Sequence, residues 1–300
     1  MNRPPIIRPD FPRRSLPLAR QLAETGLVRV TMDPPLQAET ERADGLARAF
    51  FAQATAEKRR FAAPAFVEGY REIGQEYSKA PDRPDLTESF SMWYRNRHRE
   101  AILAWRAACP LHAGITRCAD RLSALTADLL QAMAEAWSPD APRLRFQKVS
   151  YIQINHYEPA RHERELLQDA HEDGHLITLV RATAPGLEIG IGDRFVAPEL
   201  APDELLLMPG SLLTLMTGGL VPPLYHRVRN NRRAEPRRSL MFFVNPEINQ
   251  KLEPWIRNAS NAGVDIVARA IGAPNRFGLP TLVEGEAGRG WLSGAGAKAR

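Results

Sequence analysis

The feature that most constrains this chain is a series of short apolar runs between residues 145 and 246, separated by glycine, proline and other turn residues. They occupy 146–157, 176–180, 186–191, 205–208, 211–216 and 239–244. An amphipathic helix needs a 3.6-residue period sustained over ten or more residues, and most of these runs are too short. Many short strands separated by turns predict a sandwich or barrel. The flanks read differently. Residues 1–145 offer a strand at 26–30 and a helical pattern over 37–58, with Leu46, Ala47, Phe50 and Phe51 at helical spacing. A long amphipathic helix over 115–137 follows, ending where Pro139 forbids continuation. Residues 247–300 hold one helix candidate, 264–271, and a glycine-rich tail from Gly285 that is expected to be mobile.

Composition narrows the function classes. With 44% apolar and 25% charged residues, the chain has the make-up of an ordinary globular protein. No apolar run approaches the ~18 residues of a membrane-spanning helix. The N-terminal residues lack the apolar segment of a signal peptide. Cys109 and Cys118 cannot build a disulfide framework, so a reducing cytoplasm is the expected compartment. The net charge of +5 is spread along the chain. The basic stretch 229–238 has no interleaved aromatics and reads as a solvated hairpin, so no nucleic-acid partner is expected.

The chemistry concentrates in His171-Glu172-Asp173-Gly174-His175. On a helix, His171 and His175 would share a face, and Glu172 would serve a zinc peptidase as general base. The residues before it, 161–169, have helical character and favour that reading. Gly174 and the run Leu176–Val180 oppose it, since glycine costs ~1 kcal/mol inside a helix and β-branched residues favour strands. On a strand, His171 and Asp173 face one side, with Glu172 opposite. With a later histidine, such as His226, they form a facial triad of two imidazoles and one carboxylate, the donor set for Fe(II) with open positions. Arg237 and Ser239 likewise share a strand face, where a guanidinium fork and a hydroxyl bind a carboxylate, while Arg238 should point outward to solvent.

Further segments arrange these pieces in a recognisable order. Asn155-His156-Tyr157-Glu158-Pro159, His171-Glu172-Asp173, Thr178-Leu179, Gly186-Leu187-Glu188, Pro209-Gly210-Ser211-Leu212, Thr217-Gly218-Gly219, His226-Arg227-Val228 and Arg237-Arg238-Ser239 resemble the isopenicillin N synthase-like family of non-haem Fe(II), 2-oxoglutarate-dependent oxygenases. Gly69-Tyr70, Glu76-Tyr77-Ser78 and Pro84–Phe90 resemble that family's N-terminal half. The chain departs from the pattern at Glu158, at Gly218-Gly219 and in a longer basic turn before Arg237. Asp173 is retained, which disfavours a halogenating variant.

The resemblance implies a mainly β fold with flanking helices (α+β), built on a double-stranded β-helix, or jelly-roll, core. The core would span 146–246, with 1–145 packed on it and 247–300 as a C-terminal helix and tail. It implies Fe(II) on His171, Asp173 and His226, 2-oxoglutarate held by Arg237, Ser239, Tyr157 and Asn155, and O2 as the oxidant. The substrate would be a small organic molecule, from specialised or amino-acid metabolism, that is hydroxylated, desaturated or cyclised. Tyr151, Gln153, Arg181 and Phe243 are candidates to meet it. His175 reads as a surface or supporting residue. An alternative inside the same family is an oxidase that uses no 2-oxoglutarate, with Arg237 and Ser239 on the substrate's own carboxylate.

Overall fold

The computed structural model describes residues 6–7, 15–63, 68–80, 82–158, 164–231, 235–247, 250 and 252–268. Pro159, part of the helical candidate at 161–163, part of the basic turn at 232–234, residues 269–271 and the glycine-rich tail lie outside the described residues.

The N-terminal part runs β1 (Ile6–Ile7), α1 (Ser15–Thr25), β2 (Val28–Thr31), α2 (Pro34–Phe51), α3 (Thr55–Arg59), β3 (Ala62–Ala63), β4 (Glu68–Arg71), β5 (Glu88–Trp93), α4 (Glu100–Ala108) and α5 (Pro110–Trp137). Then come β6 (Tyr151–Tyr157), β7 (Leu166–Glu172), β8 (Ile177–Ala182), β9 (Leu187–Ile191), β10 (Arg194–Val196), β11 (Glu204–Pro209), α6 (Ser211–Met216), β12 (Tyr225–Arg229) and β13 (Arg237–Val244). The larger sheet has the order β1-β2-β11-β8-β13-β6-β5-β4-β3, and the smaller β10-β9-β12-β7. Every pairing except β1 with β2 is antiparallel. Strands β6–β13 form the jelly-roll core that the apolar runs predict, and β1–β5 of the N-terminal part extend its larger sheet on both sides. No helix of the described residues is long and apolar enough to cross a membrane.

Strand periodicity sorts the larger sheet into two faces. Ile152 and Ile154 of β6 pair with Phe242 and Leu240 of β13, and all four join the core beneath α1, α2 and α5. Tyr151, Gln153, Asn155 and Tyr157 pair with Phe243, Met241, Ser239 and Arg237 on the opposite face, towards the smaller sheet. Both faces are covered, so the strands are buried almost throughout instead of alternating with solvent.

The structure changes several sequence expectations. The helical run 37–58 is two helices. Asp33 caps the first by accepting from the Leu36 N–H at 2.8 Å, and the break after Phe51 brings Lys58 inward to Glu88, 2.7 Å away. The long helix begins at Pro110, where a missing N–H costs nothing in the first turn. Residues 166–169 belong to strand β7 rather than to a helix, and 266–268 form a short helical turn. The run 211–216 is helix α6, not a strand. Its first N–H groups, on Ser211 and Leu212, donate to the carbonyls of Asp173 and His175 at 2.9 and 3.3 Å. An unpaired helix N-terminus thereby holds the loop after β7. Gly210 allows that approach, because a Cβ there would lie 2.1 Å from the His175 carbonyl oxygen.

Candidate metal and carboxylate site

A cavity of about 440 Å³ opens between the two sheets. His171 near the end of β7 and His226 on β12 are direct cross-strand partners, with ring centroids 4.3 Å apart. Asp173 follows β7 by one residue. Its Oδ1 lies 3.8 Å from the Nε2 of each histidine, and the three donor atoms fall within 4.8 Å of one another. His171 and Glu172 are the last residues of the strand and 173–176 are irregular, so the zinc-helix geometry does not form.

Each imidazole is oriented from behind. His171 Nδ1 lies 2.7 Å from the Asp169 carbonyl oxygen, and His226 Nδ1 lies 3.2 Å from that of Leu224. A ring nitrogen facing a carbonyl carries the proton, which leaves both Nε2 lone pairs aimed at the space beside Asp173. Burial, helped by His226, pushes the His171 pKa down and keeps it a neutral donor. Burial alone would raise the Asp173 carboxyl. His226, His175, His171 and the Thr178 hydroxyl, which donates to Oδ2 at 2.5 Å, outweigh it and hold the group ionised. A neutral imidazole at His171 and a charged carboxylate at Asp173 are protonation states that suit a divalent metal.

Deeper along the β6–β13 ladder lies Arg237, almost fully buried. It donates through Nη1 to the Ser239 hydroxyl at 3.0 Å and through Nε to the Ala184 carbonyl at 3.2 Å, and stands 5.1 Å from the Tyr157 ring centre. Among the described residues no carboxylate pairs with it. Such a group costs several kcal/mol to bury and calls for an anion. The Asn155 amide donates to the Tyr157 hydroxyl at 3.2 Å, and that hydroxyl donates to Gln168 at 3.1 Å.

Other expected residues separate. Tyr151, Gln153 and Phe243 line the cavity. Arg181 does not: it is on the opposite face of β8, donating to the Thr40 hydroxyl at 3.0 Å and the Pro202 carbonyl at 2.9 Å. Arg238 does face away from the cavity, but not into solvent. It makes a two-point ion pair with Asp44 of α2 at 2.6 and 3.1 Å. His175 is buried rather than superficial. It lines the cavity, 3.3 Å from the Tyr151 hydroxyl, and burial pushes its pKa down to about 4.

Gln168, Glu76 and Asp85 also line the cavity, and sequence reading assigned them no role. Gln168 differs in parity from His171. It reaches the same side because β7 bulges: His226 pairs with His171, but Val228 pairs with Gln168, so one residue of β12, Arg227, opposes two of β7, Asp169 and Ala170. Asp85 is pushed up to about 6 by burial, with Ser78 donating to it at 2.7 Å.

Comparison with known proteins agrees with this geometry. A family model described as 2OG-Fe(II) oxygenase superfamily matches residues 149–246. Gibberellin 3-beta-dioxygenase 2-3 of Triticum aestivum is 32% identical over 113 residues, 37% of this chain. The match spans only 30% of that relative's length. Among solved structures, a Caulobacter crescentus protein assigned to the 2OG-Fe(II) oxygenase family is 25% identical with a TM-score of 0.70, over 86% of this chain and 92% of its own. A full-length Neurospora crassa protein in complex with alpha-KG shares the fold at 15% identity, with a TM-score of 0.71 over 88% of this chain and 95% of its own. Residues 149–246, which contain the histidine–aspartate cluster and the buried arginine, are therefore a domain of the 2OG-Fe(II) oxygenase superfamily.

Proposed function

We propose that the chain is an Fe(II)- and 2-oxoglutarate-dependent oxygenase acting on a small organic molecule by hydroxylation, desaturation or cyclisation. The observation that carries this reading is one cavity holding both a three-donor cluster and a buried guanidinium with no carboxylate of the described residues paired to it. His171 Nε2, Asp173 Oδ1 and His226 Nε2 would hold the iron, on one side only, leaving positions for other ligands. Arg237, with Ser239, Tyr157 and Asn155, would hold the distal carboxylate of 2-oxoglutarate. When bound, iron and 2-oxoglutarate supply an oxidising equivalent from O2, with succinate and CO2 released.

The protein's own part is positioning. Thr178 locks the Asp173 carboxylate, and the Asp169 and Leu224 carbonyls set the imidazole planes. The Asn155–Tyr157–Gln168 chain fixes the phenol beside Arg237. In this reading 146–246 is the catalytic core, 1–145 a region packed on it and 247–300 a C-terminal extension. The two buried free cysteines suit a cytoplasmic setting.

The test is anaerobic titration of 2-oxoglutarate into the protein with Fe(II), read by metal-to-ligand charge-transfer absorbance. A band that saturates, and is lost in Asp173→Ala, is the expected result. No band, together with O2 uptake on substrate alone, would instead establish the oxidase.

A further inference from the structure

The lining at the end of the cavity away from Arg237 constrains the substrate. Four carboxylates line the cavity (Glu76, Asp85, Glu172 and Asp173) against two permanent cations, Lys79 and Arg237. Arg71, behind the lining, is ion-paired with Glu76 at 3.0 Å, so with a ferrous ion and a 2-oxoglutarate dianion offsetting one another the surface met by a third molecule keeps one carboxylate in excess. Behind Glu76, the Arg71 guanidinium is engaged by neighbouring side chains and is not open to a substrate acid. Its Nη2 lies 3.0 Å from Glu76 and donates to Gln153 at 2.7 Å, and its Nε donates to Ser89 at 3.2 Å. Glu76 is thus held from behind, with the Gln153 amide also donating to it at 3.3 Å. Beside it stands an assembled aromatic wall. Tyr151 stacks between Trp93 and Phe243, with centroids 4.0 and 4.6 Å away, and His175 packs 4.5 Å from Phe243. A rigid wall and a fixed acceptor cost little ordering when a ligand docks.

We propose that the substrate is a small ring compound bearing an amine or amide N–H and no carboxylate, with its ring against the edges of Phe243 and Tyr151 and its N–H donated to Glu76. This rests on the oxygenase reading above. The test adds benzylamine, benzamide or benzoate to the anaerobic complex with Fe(II) and 2-oxoglutarate and follows the charge-transfer band. Benzylamine and benzamide perturb the band at millimolar concentration, and benzoate binds at least about tenfold more weakly, the worth of a charge-assisted hydrogen bond. Glu76→Gln weakens benzylamine by about tenfold or more while its 2-oxoglutarate titration, the check on folding, stays as in wild type. Tighter binding of benzoate, an unaltered Glu76→Gln, or no response to any probe overturns the proposal. The three-probe comparison on wild type depends on no variant folding. A wild type without a charge-transfer band overturns the oxygenase reading, and this proposal with it.

Discussion

Arg237 and Arg238 are neighbours on one strand, both buried, and their surroundings differ completely. On the helix side of the larger sheet, Arg238 is paired with Asp44 of α2, and Lys58 of α3 is paired with Glu88 of β5 at 2.7 Å. These ion pairs join helices to the sheet and leave nothing for a ligand. A carboxylate and imidazole cluster also exists there, formed by Glu88, His156 and Glu158, but the Lys58 ammonium already sits on Glu88. On the cavity side, Arg237 and the His171–Asp173–His226 cluster have their partners withheld. Buried charge that is satisfied internally is structural, and buried charge left open by a well-packed scaffold marks a binding site.

Four experiments sharpen or break that contrast. The largest effect is expected from the open cluster: His171→Ala, Asp173→Ala or His226→Ala should each abolish turnover and weaken Fe(II) binding in equilibrium dialysis. His175→Ala should leave iron bound. Loss of metal in His175→Ala with retention in Asp173→Ala would reinstate the helix reading. Next, Arg237→Ala should lower 2-oxoglutarate affinity in the charge-transfer titration by roughly 30- to several-thousand-fold, as when a buried charge loses its partner. Lysine at 237 should rescue only in part, because an ammonium cannot reproduce the fork.

The satisfied side should behave oppositely. Arg238→Ala or Asp44→Ala should change 2-oxoglutarate affinity little but cost about 1–3 kcal/mol in denaturant unfolding, less than a fully buried pair because Asp44 is partly exposed. A large affinity loss in Arg238→Ala would place the anchor on the wrong arginine. The smallest effect concerns pH. Burial holds His156, stacked on Phe51 at 4.7 Å, below the ordinary imidazole pKa despite its contact with Glu158. The unfolded chain then takes up that proton first. Stability is present above the unfolded value near ~6.5 and declines as pH falls below it. His156→Gln should flatten that decline in melting curves taken from neutral to mildly acid pH, and an unchanged slope would show that His156 does not contribute to it.

Much of the site was legible because its geometry is local. Residues two apart on a strand share a face, so His171 with Asp173 and Arg237 with Ser239 could be grouped from spacing, and Arg238 set apart from Arg237. The ordered glycine and proline turns likewise announced a two-sheet core. Reading by parity failed where the backbone broke its own period. The β7 bulge put Gln168 beside Tyr157, and 211–216 is a short helix whose first N–H groups bond the loop carrying Asp173 and His175, a contact that no local spacing announces.

The sequence by itself determined which donors exist and which face of its own strand each one takes, since side-chain alternation is a property of the extended backbone. The tertiary structure decided who meets whom. Asp44, 194 residues before Arg238, reaches it because α2 packs on that side of the sheet, and Thr40 of the same helix accepts from Arg181, which the alternation of β8 already turns away from the cavity. Arg237 keeps an empty side for the opposite reason. The smaller sheet that covers it sets no carboxylate of the described residues against it, and such long-range pairings follow from how whole elements pack, which no local spacing encodes.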